Sequence, residues 1–466
     1  MRRRGGTRGT TAALAAAVTA LALLAGGCTG GVDGTPGAAG LRDPYFPRLG
    51  NGGYDVRHYA LDLAYDPATG RLDGTAEITA RATQDLSAFN LDLAGLTVDR
   101  TTVDGAPAAF HRAGDELTLR PREELREGTE FTATVTYSGV PEPVTDPDGS
   151  EEGWLRTADG AVAVGQPAGS MSWFPGNHHP SDKAAYDITL TVPSGLRALS
   201  NGVMTSEKRA ADGRTTTAWH AAEPMASYLA TVMLGRYETG TATALGSVPV
   251  VTAVEPSAAA GSAELRAELP GILAEQVERF GPYPFSAAGA VVTADDTLAY
   301  ALETQTRPVF PAAAFDRATL VHELAHQWFG NSVTPATWRD LWLSEGFATY
   351  AEWLDAEESE DVPVGTSFAR AFAEEDNWAF PPAAPPTAAN LFDPPVYQRG
   401  AMVLHKLRET VGDEAFEEIL RGWPAKYRHA NASTDDFTAY AESVAGTGLD
   451  ELWDVWLRGD EKPEHP

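Results

Sequence analysis

The sequence predicts a chain of two halves: an all-β half of sandwich or saddle type over residues 46–245, then a mainly α-helical half over residues 246–466. Three observations carry this. From Tyr54 onward apolar residues alternate with polar or small ones through successive short runs, the period of half-buried strands. After about Pro256 they recur every three or four residues instead, the period of helices packed on one face. With 43% hydrophobic, 9% aromatic and 21% charged residues over 466 positions, the composition is globular and the length suits two or three domains.

A separate segment precedes both halves. Met1-Arg2-Arg3-Arg4 and Arg8 lead into an apolar run from Ala12 to Ala25 that closes in Gly26-Gly27-Cys28. A basic start, a short apolar stretch and small residues before a cut describe a secretory signal over residues 1–27, too short to span a membrane. Leu24-Ala25-Gly26-Gly27-Cys28 resembles a bacterial lipobox. Cys28 is therefore expected to carry a lipid that holds an exported protein on the outer face of a membrane; the alternative is a secreted protein with an incidental cysteine. It is the single cysteine of the chain, so no disulfide forms within it. Residues 28–45 read as a flexible tether, rich in Gly, Thr and Ala at their start. The net charge is −30, and removal of the signal with its four arginines makes the remainder more acidic. The basic footprint of a nucleic-acid binder is missing.

In the first half, Leu61, Leu63 and Tyr65 alternate with polar or small residues, as do Phe89, Leu91 and Leu93, then Phe131, Ala133, Val135 and Tyr137, then Ile188, Leu190 and Val192. Turn residues such as Pro67-Ala68-Thr69-Gly70 and Asp104-Gly105 separate the runs. In the second half, Leu265, Leu269, Ile272, Leu273, Val277 and Phe280 mark one helix. Leu320, Val321, Leu324, Ala325 and Trp328 mark a second, with Gly330 as its expected stop. A third is expected over about residues 340–355 and a fourth from near Tyr397, carrying Met402, Val403 and Leu407.

The second helix carries His322-Glu323-Leu324-Ala325-His326. Residues four apart share a helix face, so both imidazoles can reach one ion, and Glu323 can reach a water on that ion without binding it. Zinc suits two neutral imidazoles with an open position. A third protein ligand should follow. Glu345, nineteen residues beyond His326 on an otherwise apolar helix, is a candidate because a buried lone carboxylate requires a partner; an exposed helical glutamate is the alternative.

His322-Glu323-Leu324-Ala325-His326-Gln327-Trp328-Phe329-Gly330-Asn331 resembles the zinc helix of the aminopeptidase N-like gluzincin zinc peptidases. Asp340-Leu341-Trp342-Leu343-Ser344-Glu345-Gly346-Phe347-Ala348 is similar to that family's third-ligand helix, and the stretch from Trp173 to Ala184 to part of its β-domain. The resemblance implies a thermolysin-like catalytic domain behind an N-terminal β-domain, one zinc ion held by His322, His326 and Glu345, Glu323 as general base, and peptides as substrates. It also implies that Tyr397 hydrogen-bonds the developing oxyanion and that Glu352 orients a ligand imidazole. Taken alone, Tyr397 is one of 14 tyrosines and Glu352 an ordinary helical acid.

The resemblance extends to recognition of the substrate's free amine. Tyr300-Ala301-Leu302-Glu303-Thr304 stands where the family has Gly-x-Met-Glu-Asn, keeping the acid as Glu303, and Gln166-Pro167-Ala168 keeps the first polar residue of a Gln-x-Glu motif. The segment before Glu303 reads as a strand along which a peptide could pair. Only fifty-odd residues follow Gly412-Asp413, too few for the helical domain that covers the cleft in fuller members, so an open cleft is expected. His178-His179 with Asp182 reads as structural, not as a second metal site. The expected function is a zinc aminopeptidase. The alternatives are a zinc endopeptidase with relaxed amine recognition and an inactive, envelope-anchored binding protein.

Overall fold

The computed structural model describes residues 32–294 and 298–465; the expected signal segment and Cys28 lie outside the described residues. Among the described residues no helix is long and apolar enough to cross a membrane.

The β half is built on an eight-stranded sheet whose centre is Lys183–Pro193, Tyr54–Asp66, Arg71–Ala82 and Glu130–Gly139, side by side in that order. Along these strands the alternation read from the sequence becomes alternate burial: Leu61, Leu63, Tyr65, Ala133, Val135, Ile188 and Leu190 all face the core. Leu86–Asp92 departs from that pattern, because Asn90 and Asp92 are buried as well as Phe89 and Leu91. This strand belongs to a second sheet, and its polar side chains bind neighbouring backbone: Asn90 donates to Gly37 O, and Asp92 accepts from Gly50 N and His178 N. A third sheet holds Val144–Thr145, Glu151–Arg156 and Ala161–Val164.

Two expectations change here. The stretch read as a tether is laid onto the body from its first described residues. Thr35–Pro36 pairs in parallel with the strand from Leu86, and buried Asp43 accepts hydrogen bonds from Tyr45 N, Phe46 N and Trp338 N. Its Gly-rich composition serves close approach of backbones: a Cβ on Gly37 would meet Gly52 O at 2.4 Å. The second change concerns the domain boundary. Glu238–Ala244, Val248–Val254, Ala288–Thr293 and Val309–Pro311 form a four-stranded sheet of their own. The catalytic half therefore starts near Glu238, ahead of the expected break at 245–246, since a period-two pattern does not reveal which sheet a strand joins.

Among the described residues, seven helices of nine residues or more follow or flank that sheet: α1 (Ala263–Phe280), α2 (Arg317–Ala325), α3 (Trp342–Ser359), α4 (Val364–Ala373), α5 (Gly400–Val411), α6 (Asp413–Lys426) and α7 (Thr434–Ala445). α1 buries Leu269, Ile272, Leu273 and Phe280, as its spacing foretells. α2 ends at Ala325, earlier than expected, and Gly330 is not its stop. With φ +123° and a Cβ site only 2.3 Å from Ser344 Oγ, Gly330 instead lets α3 approach the end of α2. The fourth expected helix is preceded by a wider π-type turn, Pro395–Arg399, that runs into α5.

One continuous apolar core runs through both halves, and buried polar groups tie them. Lys183 Nζ donates to Asn331 O at 2.9 Å and Ser332 O at 2.8 Å. The guanidinium of Arg307, wholly buried, donates to Ser200 O and Gly202 O and lies 4.7 Å from the centroid of the Trp219 ring.

Candidate active site

Four segments of the helical half converge on one cavity, which residues of the β half complete. Asp316 caps α2 by accepting from Thr319 N at 2.9 Å, and the helix then presents His322, Glu323 and, at its last turn, His326. α3 runs beside it and presents Glu345 and Glu352. The π-type turn before α5 carries Tyr397. The fourth segment, Tyr300–Thr304, was expected to be a strand; it makes one antiparallel bridge, Leu302 with Val309, and then turns.

Oε2 of Glu345 lies 3.3 Å from Nε2 of His322 and 3.3 Å from Nε2 of His326. The outer nitrogens are engaged elsewhere. Nδ1 of His322 faces Oε1 of Glu352 at 2.6 Å, and Nδ1 of His326 faces Phe329 O at 3.0 Å. A carbonyl oxygen only accepts, so Nδ1 of His326 carries the proton and Nε2 is its inward position. Outer partners of this kind hold metal-ligating imidazoles in place. One donor atom from each of His322, His326 and Glu345 lies within 4.8 Å of the others. Two imidazoles and one carboxylate with room for a fourth ligand fit zinc.

The electrostatics agree with that fit. Burial opposes charge at every group here, yet Glu345 and the two imidazoles hold one another ionised. Against its burial, Glu345 is drawn down to about 2 by His326 and His322. His326 is buried too, and Glu345 with Glu303 holds it at about 9. Such an arrangement binds a cation by exchanging protons for it, because ligating imidazoles must be neutral. Glu323 differs: burial pushes it up to about 8 despite both histidines, and its Oε2 is buried with no hydrogen-bond partner. An unpartnered carboxylate oxygen beside the donor set is free to engage a water or substrate atom.

Tyr397 stacks on His322 with 6.2 Å between centroids and 19° between planes. Burial and the negative charges of Glu345, Glu303 and Glu323 keep its phenol protonated, and so a hydrogen-bond donor. Glu303 is 2% exposed; Gln166 Nε2 donates to its Oε1 at 3.0 Å, while Gln327 and Asn331 donate to its backbone oxygen. His322, Glu323, His326, Glu345, Glu352, Tyr397, Glu303 and Gln166 thus all line one cavity of about 470 Å³. His178 and His179 stand outside it. His178 bonds Phe174 O and Ser227, and His179 pairs with Asp43.

Sequence reasoning missed Ser344, whose Oγ lies 2.9 Å from Nδ1 of His326; its place directly before Glu345 was the available signal. It also missed Asp146 and Asp148, which line the same cavity but sit in a turn with nothing in the local pattern to mark them.

Comparison with known proteins adds three findings. The profile of the Peptidase family M1 domain matches residues 288–456, and that of the Peptidase M1 N-terminal domain matches residues 56–229. Aminopeptidase M1-D of Oryza sativa subsp. japonica is 28% identical over 443 residues, covering 86% of this chain and 49% of its own. Glutamyl aminopeptidase of Sus scrofa is 26% identical over 335 residues, 66% of this chain and 35% of its own. The chain therefore spans half or less of the length of these curated relatives. An M1 zinc metallopeptidase from Deinococcus radiodurans superposes with TM-score 0.86 at 30% identity, covering 92% of this chain and 98% of that one. A mutant form of it bound to a Tyr-Ser-Ala substrate gives 0.85 at 31%, covering 92% and 99%.

Proposed function

The chain belongs to peptidase family M1, and on that premise we propose that it is a zinc aminopeptidase that removes residues one at a time from the free amino end of peptides. The observation that carries this is the presence in one cavity of two carboxylates with separate tasks: Glu323, unpartnered beside the His322–His326–Glu345 donors, and Glu303, held by Gln166 on the adjoining wall.

His322, His326 and Glu345 would hold the ion, with Glu352 and Ser344 orienting the two imidazoles. When bound, zinc supplies a Lewis acid that polarises a carbonyl and lowers the pKa of water towards ~7. Glu323 takes the proton of the attacking water and passes it to the leaving amine. The Tyr397 hydroxyl donates to the carbonyl oxygen as negative charge develops there, where a fixed donor contributes most. Glu303 receives the ammonium of the substrate, and its hydrogen bond from Gln166 keeps one carboxylate oxygen aimed. The backbone of Leu302, bridged to Val309 on one side, sets the line along which the peptide lies. The leader and lipobox support export and attachment to the envelope through Cys28.

The test is cleavage of one peptide series with free and with acetylated amino ends by the zinc-loaded chain, beside Glu323→Gln. Stepwise release from free ends only, with at least a thousandfold loss and unchanged zinc content in Glu323→Gln, is expected. Equal cleavage of acetylated peptides would mean an endopeptidase. No cleavage with zinc bound would mean a binding protein.

A further inference from the structure

The cavity holds more acid than the proposed reaction uses. Glu345, Glu323, Glu303 and Glu352 each have a task above; Asp146 and Asp148 line the same cavity without one. They sit on the turn between Val144–Thr145 and Glu151–Arg156, two short paired strands of the β half. Behind them Glu152 is wholly buried. Its Oε1 accepts from Ala168 N at 2.8 Å, whereas its Oε2 finds no hydrogen-bond partner. Its carboxyl faces that of Asp146, and the charges that act on this pair are other acids. No lysine or arginine is among the described residues lining the cavity. Burial pushes Asp146 up to about 7, the response of a carboxyl group that lacks a counter-charge.

This acidic end adjoins the amine anchor. Tyr300 is half-buried and lines the cavity with Glu303, Asp146 and Asp148, and the pKa of its phenol is raised by burial and by these acids and Glu152 together. Tyr300, Ala301 and Phe392 add apolar wall. Asp148 accepts from Ser150 N and Oγ, but no cation faces either aspartate among the described residues of the cavity lining. A pocket with an apolar wall and carboxylates without a counter-charge beyond it fits a side chain with an aliphatic stem and a cationic head.

We propose that this end of the cavity receives the side chain of the substrate's first residue, and that Asp146 and Asp148, backed by Glu152, select lysine or arginine there. The proposal rests on the aminopeptidase reading, in which Glu303 holds the neighbouring amine. A neutral side chain leaves the acids without a counter-charge, and an acidic one meets like charge, so discrimination has a repulsive as well as an attractive part.

The experiment uses the full chain with zinc restored and measures kcat/KM for Arg, Lys, Leu, Met and Glu p-nitroanilides, in the wild type, Asp146→Asn and Asp148→Asn. The wild type should favour Arg and Lys over Leu by about tenfold or more, and each substitution should lower that ratio, Asp146→Asn by about tenfold. Asp148 is exposed on its turn, so its variant keeps the test open if Asp146→Asn does not fold. A wild type that cleaves Leu as fast as Arg overturns the proposal while leaving the aminopeptidase reading intact. A preference for Arg and Lys that neither substitution lowers also overturns it. If no substrate is cut while zinc is bound, the aminopeptidase reading fails and the proposal with it.

Discussion

Replacing Gly346 by alanine tests whether the spacing of two elements sets the geometry of the reaction. Gly346 follows Glu345 on α3 and faces Gly400 at the start of α5. A Cβ there would lie 2.9 Å from both Cα and C of Gly400 and 3.3 Å from Ala401 N. Ordinary carbon contacts are about 3.5–4.0 Å, and every atom met is backbone, so the two helices must part by roughly 0.5–1 Å. Overpacking of this kind costs about 1–3 kcal/mol. Alanine in place of glycine inside a helix returns about 1 kcal/mol, leaving a net loss of about 1 kcal/mol. The effect on rate should be larger, because one helix carries Glu345 and the other is continuous with the turn that carries Tyr397. A misplacement near 1 Å can cost about a hundredfold, so kcat/KM should fall between tenfold and a hundredfold. Thermal unfolding and kinetics on one preparation, with zinc content measured, make the test. A variant that is about 1 kcal/mol more stable and turns over at the wild-type rate would show that propensity alone governs the position, and the spacing argument would fail.

Two further outcomes are expected. Tyr397→Phe should lower kcat by about 10²–10³ with little change in KM, since its hydroxyl acts on charge that exists only in the transition state; a matching rise in KM with unchanged kcat would assign it to ground-state binding. His178 is buried neutral, its pKa pushed by burial to about 4 from 6.5. Its Nε2 donates to the Phe174 carbonyl. Between those two values the unfolded chain binds the proton and the folded one does not, so this residue's contribution to stability falls as pH drops from about 6.5 to about 4. The span is roughly 3 kcal/mol. His178→Gln should remove that part of the slope in denaturant unfolding across this pH range, and an unchanged slope would refute the assignment.

How much was legible in the sequence depended on how far apart the cooperating residues lie. His322, Glu323 and His326 share one helical face, so spacing alone brings them together. Glu345 was reachable because a carboxylate on an apolar helix demands a partner, and α3 does bury it at 2% exposure. The strands announced themselves by their alternation, Leu86–Asp92 through Phe89 and Leu91, but the burial of its polar Asn90 and Asp92 did not, because those side chains are satisfied by backbone from other segments. The Gln166–Glu303 bond joins residues 137 apart, and no local pattern encodes such a meeting. The burial of Asp43 was likewise illegible: a Gly-rich stretch looks flexible until the partner backbones that need its small residues are in view. Asp146 and Asp148 sit in a turn of ordinary turn composition, and only the cavity beyond them gives them meaning.

Arg307 has a consequence for how the molecule is made. The carbonyls it binds, Ser200 and Gly202, lie 107 and 105 residues earlier in the chain. At about 5–20 residues per second, ribosomal synthesis leaves a nascent β half waiting roughly 5–20 s for the group that completes it. Until then those two oxygens and the face of Trp219 have only water or a chaperone for company. The guanidinium, in turn, has no dry place to go unless the β half already stands. Each half therefore serves as the template on which the other finishes, and neither is a module that could be exchanged or expressed alone without leaving a charge or a pair of carbonyls stranded.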